Sequence, residues 1–163
     1  MLSECARMTT AAEARFRVGY PNSTPRRIKI IALDEAAERT IRRLAQNPWN
    51  SASFMTTAGE RGSHVGEWLS DLAGAALNLL DQVSAAGLVV TVSTAGHSAE
   101  DAAIIAEACQ VHGIMMTALV IDAASAPEVL LLKTIVPLRA HASMLVVAKG
   151  EEYVEAMLTA LRA

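Results

Sequence analysis

Hydrophobic positions follow two different spacings from residue 27 onward. Runs of adjacent aliphatic and β-branched residues predict strands, because strands buried on both faces are apolar throughout. Five such runs occur: RIKIIAL (27–33), SASFMTTA (51–58), LVVTVST (88–94), IMMTALVID (114–122) and SMLVVAK (143–149). Between and after them, apolar residues recur every three or four positions, which predicts a helix after each strand.

The five predicted helices fill these intervals. They cover 34–47, about 65–83, 99–112, 126–142 and 151–163. Pro48 ends the first helix, and Ser98 is the expected N-cap of the third. Segment 126–142 is so rich in aliphatic residues that a helix there is apolar on more than one side, and Pro137 is expected to break it.

Alternating strands and helices predict an α/β fold, a three-layer αβα arrangement around a doubly wound parallel sheet of five strands. The expected strand order is 2-1-3-4-5. Ligands of such sheets bind beyond the carboxyl ends of the strands, where the strand order reverses, and here that crevice lies between strands one and three. Residues 27–163 form the predicted single Rossmann-like domain, and residues 1–26 form a basic N-terminal arm.

Composition and charge narrow the classes of function. The chain has 163 residues and a net charge of -3, which argues against nucleic-acid binding, because phosphate backbones require concentrated positive charge. The first 27 residues nevertheless carry five arginines against two glutamates. No apolar run is long enough to span a membrane and no signal peptide is visible, so we expect a cytoplasmic protein. Cys5 and Cys109 lack the spacing of metal ligands, so no metal site is expected.

Residues suited to ligand binding concentrate at the predicted carboxyl ends of the strands. These candidates are Asp34 and Glu35 after strand one, Gly59, Arg61 and Gly62 after strand two, Ser93, Thr94, Gly96, His97 and Ser98 at strand three, and Asp122 at strand four. Glycines let a ligand approach backbone N–H groups, and Arg61 has the charge to pair with an anion. Histidine at position 97 is suited to proton transfer. Asp34 and Glu35 are equally the acids that open an ordinary helix.

The runs DQVSAAGLVVTVSTAG (81–96) and AAIIAEACQVHGIMMTALVID (102–122) resemble the nucleotide-binding domain of the tubulin/FtsZ family of GTPases. In that family a strand ends in Thr-Ala-Gly, continues into a glycine-rich GGGTGTG loop on the GTP phosphates, and enters an AAPVIAE helix. Residues 94–96 match the strand end and 102–107 match the helix, whereas 97–101 are shorter than the loop and contain no glycine. The resemblance therefore implies the fold without GTPase activity.

A second resemblance is to response-regulator receiver domains, which share the order 2-1-3-4-5. Asp34 and Glu35 occupy the places of their metal-binding acid pair, and Lys149 that of their lysine. The phosphate-accepting Asp of receivers is replaced here by Ser-Thr-Ala-Gly at 93–96. The resemblance implies a pseudo-receiver at most.

Three functions follow from these patterns. The first is a small-ligand-binding or regulatory domain that holds an anionic ligand in the crevice, with no cofactor identified. The second is a structural or interaction protein with a vacant crevice, a homodimer through Val129 to Leu138, because a helix apolar on several sides needs a partner. The third is an enzyme that uses His97 with Asp34 or Glu35 as acid and base.

Overall fold

One mixed sheet of seven strands organises the residues that the computed structural model describes, 26–57 and 66–163. The strands are β1 (Ile28–Ala32), β2 (Ala52–Thr56), β3 (Glu67–Asp71), β4 (Ala76–Asn78), β5 (Leu88–Thr94), β6 (Met116–Ile121) and β7 (Met144–Val147). Their order in the sheet is β4-β3-β2-β1-β5-β6-β7. The predicted basic arm, 1–26, lies outside the described residues except for Arg26.

Helices connect most of these strands. They are α1 (Glu35–Leu44), α2 (Leu79–Ser84), α3 (Asp101–His112), α4 (Glu128–His141) and α5 (Glu152–Ala160). The five predicted strands are β1, β2, β5, β6 and β7, and each pairs in parallel with its neighbour. The α/β class is therefore confirmed, and these five strands are neighbours in the expected order.

The expected sheet of five parallel strands is corrected by an antiparallel addition at its β2 edge. β3 pairs antiparallel with β2, and β4 pairs antiparallel with β3. The long helix predicted from about 65 to 83 is therefore wrong, and only its end, α2, is helical. The deciding feature is a turn, in which the Asp71 carboxylate accepts hydrogen bonds from the N–H groups of Ala73 and Ala75 and Gly74 has a φ of +91°.

Two hydrophobic clusters pack on the sheet. One joins it to α2, α3 and α4, and the other joins it to α1 and α5. Successive residues of β5 alternate between them, since Val89 belongs to the first cluster and Leu88 and Val90 to the second. Helices therefore cover the sheet through two separate cores.

Pro137 lies inside α4 instead of breaking it, contrary to the expectation from the sequence. A proline cannot donate the backbone hydrogen bond of its position, which weakens the turn before it. Beyond the proline, Leu138 is fully buried and its carbonyl accepts a hydrogen bond from the N–H of Ala142 at 2.8 Å. Packing of this last turn stabilises the helix against the local cost of the proline.

Candidate functional site

The predicted crevice between β1 and β5 contains a buried carboxylate, that of Asp34. Its Oδ1 accepts a hydrogen bond from the N–H of Ala37 at 2.9 Å, so Asp34 is the N-cap of α1. Its Oδ2 accepts one bond from the N–H of Thr94 at 2.8 Å and another from Ser93 Oγ at 3.2 Å. The structure thus brings Asp34, Ser93 and Thr94 together at the carboxyl ends of β1 and β5.

This arrangement makes Asp34 a link between the ends of two strands. Both carboxylate oxygens are occupied by groups of the chain, and Asp34 and Thr94 are each more than nine-tenths buried. A buried carboxylate needs several donors to offset its lost hydration, and these donors are supplied internally. The contacts give Asp34 a capping and bridging role at this edge.

The loop after β5 is held by Thr134 of α4. Gly96 N–H donates to Thr134 Oγ1 at 2.9 Å, and the same hydroxyl donates to the backbone carbonyl of His97 at 2.7 Å. Thr134 is fully buried, and Gly96 has a φ of +95°, which a glycine adopts without strain. The Gly96 N–H, which a phosphate at this corner would need, is therefore already engaged.

Two features at this edge were not expected from the sequence. α3 begins at Asp101 after Glu100, so Ser98, which is exposed, is not the N-cap. Ala99, between Ser98 and the start of the helix, is buried in the same core cluster as α3. In addition, Thr94 Oγ1 is buried and has no hydrogen-bond partner, alone among the buried side-chain polar atoms of the described residues.

The remaining predicted candidates that the structure describes do not share the buried position of Asp34. Glu35 is exposed in the first turn of α1 and lines a shallow cleft with Glu38 and Arg39. The side chain of His97 is exposed. Gly59, Arg61 and Gly62 lie outside the described residues.

Asp122 lines a different opening, which we call the arginine cleft. Its volume is about 470 Å³, and its lining residues are Ala36, Arg39, Arg42, Arg43, Asp122 and Glu151. Glu151 joins its two sides, because its Oε1 accepts a hydrogen bond from Thr40 Oγ1 at 2.7 Å and its Oε2 is ion-paired with Arg43. α1 and the start of α5 are thereby held together across the cleft.

The arginine cleft was missed from the sequence except for Asp122. Arg39, Arg42 and Arg43 recur three and four residues apart, which places them on one side of α1. That spacing signals a charged face, whereas the part played by Glu151 depends on contacts across 111 positions of the chain. Only the folded chain brings these residues into one opening.

Compared with known proteins, the chain matches no protein-family model and no curated protein sequence. The resemblances to the tubulin/FtsZ family and to receiver domains therefore stay predictions. Within residues 26–57 and 66–163, every helix is too short or too polar to span a membrane. The same residues contain no group of three or more histidine, cysteine and acidic side chains arranged to hold a metal ion.

Proposed function

We propose that this chain is a degenerate doubly wound α/β domain whose function is protein interaction, and that it forms a homodimer through α4. The observation that carries the proposal is an exposed apolar row on α4, which we call the α4 stripe. Its residues are Val129, Leu132 and Val136, with exposed fractions of 78%, 48% and 64%. Spacings of three and four residues place them on one side of the helix.

The α4 stripe lies opposite the residues that α4 buries. Thr134, Ile135 and Leu138 pack into the domain, so the side of α4 that contributes to the core is not the side of the stripe. A surface helix of a globular domain carries polar residues on its outer side, whereas α4 is apolar on both sides. Contiguous exposed apolar residues of this kind mark interaction sites.

A second copy of the chain is the partner that the charges around the stripe favour. Glu128 and Arg139 are both exposed and lie about three helical turns apart, hence on the same flank of the stripe. In a two-fold symmetric antiparallel pair of α4 helices, the same flanks meet, and each Glu128 faces the partner's Arg139. This flank is therefore complementary to itself in charge, while Lys133, which is also exposed, lies on the other flank of the stripe near its midpoint.

The two other functions receive less support from the contacts. A ligand in the β1–β5 crevice would compete with the internal donors of Asp34, and a phosphate on the loop after β5 would compete with Thr134 for Gly96. An acid–base pair of His97 with Asp34 would need a buried carboxylate whose oxygens already accept internal hydrogen bonds, and a pair of His97 with Glu35 would join two exposed groups. We also propose that the chain does not hydrolyse GTP, as expected from the sequence.

The mass of the protein in solution tests the dimer. By light scattering on the full chain, we expect a mass near twice the 17.3 kDa of one chain, and a mass near 17.3 kDa for Val129→Asp. An acid in the first turn of α4 is compatible with the helix, so this variant should fold. The matched control is Val111→Asp on α3, where the valine is 76% exposed, and it should stay dimeric.

The proposal fails if the full chain has the mass of one copy at a concentration of about 100 µM. The dissociation constant of the dimer would then exceed about 100 µM, which is weaker than in most specific dimers. It also fails if Val129→Asp remains dimeric while its circular dichroism is unchanged. Equal loss of the dimer in Val111→Asp would show a general effect of added charge and would equally count against α4 as the interface.

A further inference from the structure

We propose that the arginine cleft binds a phosphate monoester that also carries free hydroxyl groups, such as a sugar phosphate. The cleft, of about 470 Å³, is within the size range of small-molecule sites. Asp122 directly follows β6, and Glu151 directly precedes α5. One end of the cleft thus lies at the carboxyl edge of the parallel strands, where α/β sheets bind ligands, and the other extends along α1 to Arg43 in its last turn. It is not the crevice expected from the sequence.

Two arginines supply the cation for a phosphate. Arg39 and Arg43 lie four residues apart on α1 and so project from the same side of the helix. Arg43 is held in place by its ion pair with Glu151, whose other oxygen is fixed by Thr40. A guanidinium group presents parallel N–H donors that match two phosphate oxygens, and a positioned guanidinium loses less entropy on binding.

Arg42 has a different role, since all three nitrogens of its guanidinium are engaged. Nε and Nη2 donate to Glu38 Oε1 at 2.8 and 2.6 Å, and Nη1 donates to the carbonyl of Leu72 at 2.6 Å. These bonds tie α1 to the end of β3. We therefore assign recognition of the anion to Arg39 and Arg43.

Asp122 is the residue that recognises the hydroxyl groups of the ligand. Its φ of +57° lies in the left-handed region, which aspartate and asparagine adopt more readily than other residues with a side chain. The conformation is held by Ser125, whose N–H and Oγ both donate to the Asp122 carbonyl, at 3.2 and 3.0 Å. An aspartate carboxylate accepts hydrogen bonds only, so the ligand group facing it must be a donor, and a hydroxyl fits.

Binding of ribose 5-phosphate, measured by isothermal titration calorimetry on the full chain, tests the site. We expect saturable binding, weakened at least tenfold by Arg39→Gln. Asp122→Asn should weaken ribose 5-phosphate by about tenfold without weakening inorganic phosphate, because asparagine tolerates the left-handed conformation and the negative charge that it removes does not attract an anion. Arg26→Gln, which changes an exposed arginine before β1, is the matched control and should bind like the unaltered chain.

Three results would overturn the proposal. One is no heat of binding up to millimolar ribose 5-phosphate. Another is equal affinity for inorganic phosphate and ribose 5-phosphate, which would show that the sugar hydroxyls make no contact with Asp122 that adds to binding. The third is binding that Arg39→Gln and Arg26→Gln weaken equally, which indicates attraction by overall charge. None of these measurements depends on the α4 dimer, so the two proposals fail separately.

Discussion

The Asp34 carboxylate accepts a hydrogen bond from the backbone N–H of Thr94 at 2.8 Å, across 60 positions of the sequence. This bond joins the end of β1 to the end of β5 at the place where the strand order reverses. The same carboxylate caps α1 through the N–H of Ala37. A position that ligands often occupy in α/β sheets is therefore spanned by the chain's own acid.

Asp34→Ala should lower the free energy of unfolding by about 2–4 kcal/mol. Loss of the N-cap accounts for about 1 kcal/mol, and the buried N–H of Thr94, left without an acceptor, for about 1–3 kcal/mol more. Urea denaturation followed by circular dichroism measures the change. Glu35→Ala alters the exposed neighbouring acid and should shift stability by no more than about 0.5 kcal/mol. Equal stability of the two variants would contradict the bridging role of Asp34.

Thr134→Val should lower stability by about 1–3 kcal/mol, because the partly buried N–H of Gly96 loses its acceptor and the carbonyl of His97 its donor. Valine has nearly the shape of threonine, so the hydroxyl is the main change. Thr159→Val removes an exposed hydroxyl that donates to the Glu155 carbonyl and serves as the control, with an expected change within about 0.5 kcal/mol. An unaffected Thr134→Val protein would mean that the loop after β5 does not depend on α4.

Thr94→Val should have the opposite effect. Thr94 Oγ1 is buried without a hydrogen-bond partner, so its removal should leave stability unchanged or raise it by about 1 kcal/mol. The comparison with Thr134→Val uses the same chemical change at two buried threonines and the same denaturation assay. A loss of more than about 1 kcal/mol in Thr94→Val would show that this hydroxyl has a partner in solution, a bound water or a ligand.

Several elements were predictable because a single local property determines them. β5 has the predicted bounds, Leu88–Thr94, since an unbroken apolar and β-branched run is buried on both faces. The hairpin of β3 and β4 was not predicted, because the apolar spacing of 65–83 also suits a helix. The deciding contacts, those of Asp71 with the turn at Gly74, involve polar residues that periodicity does not weigh.

The candidate site was predictable in its location but not in its role. Asp34, Ser93 and Thr94 meet because carboxyl ends of parallel strands share an edge. Whether an acid there binds a ligand or caps a helix depends on which donors surround it, and those come from separate segments. The arginine cleft shows the same limit, since Glu151 reaches α1 only through the packing of α5.

Charge reversal on α4 checks the antiparallel arrangement of the proposed dimer. Glu128→Arg and Arg139→Glu each place like charges opposite one another at both ends of the helix pair and should weaken dimerisation. The double variant restores opposite charges and should recover most of the affinity. Sedimentation equilibrium of the three variants at low salt measures this, because exposed ion pairs are screened by salt. Additive weakening in the double variant would exclude this pairing of the two flanks.

Cys109 should be unreactive in the folded protein. Burial raises the pKa of its thiol from 9.0 to about 11, so at pH 8 only about one molecule in a thousand carries the reactive thiolate. In a Cys5→Ser variant, which leaves Cys109 as the single cysteine, a disulfide reagent at pH 8 should react at least about a hundredfold more slowly than with the urea-unfolded chain. Labelling of the folded protein at the rate of the unfolded chain would show that α3 opens readily and that Cys109 is not held in the core.

The raised pKa of the Cys109 thiol also predicts how stability depends on pH. Because the folded state holds this proton to higher pH, the Cys109 contribution to stability should decrease between about pH 9 and 11, and Cys109→Ala should remove that decrease.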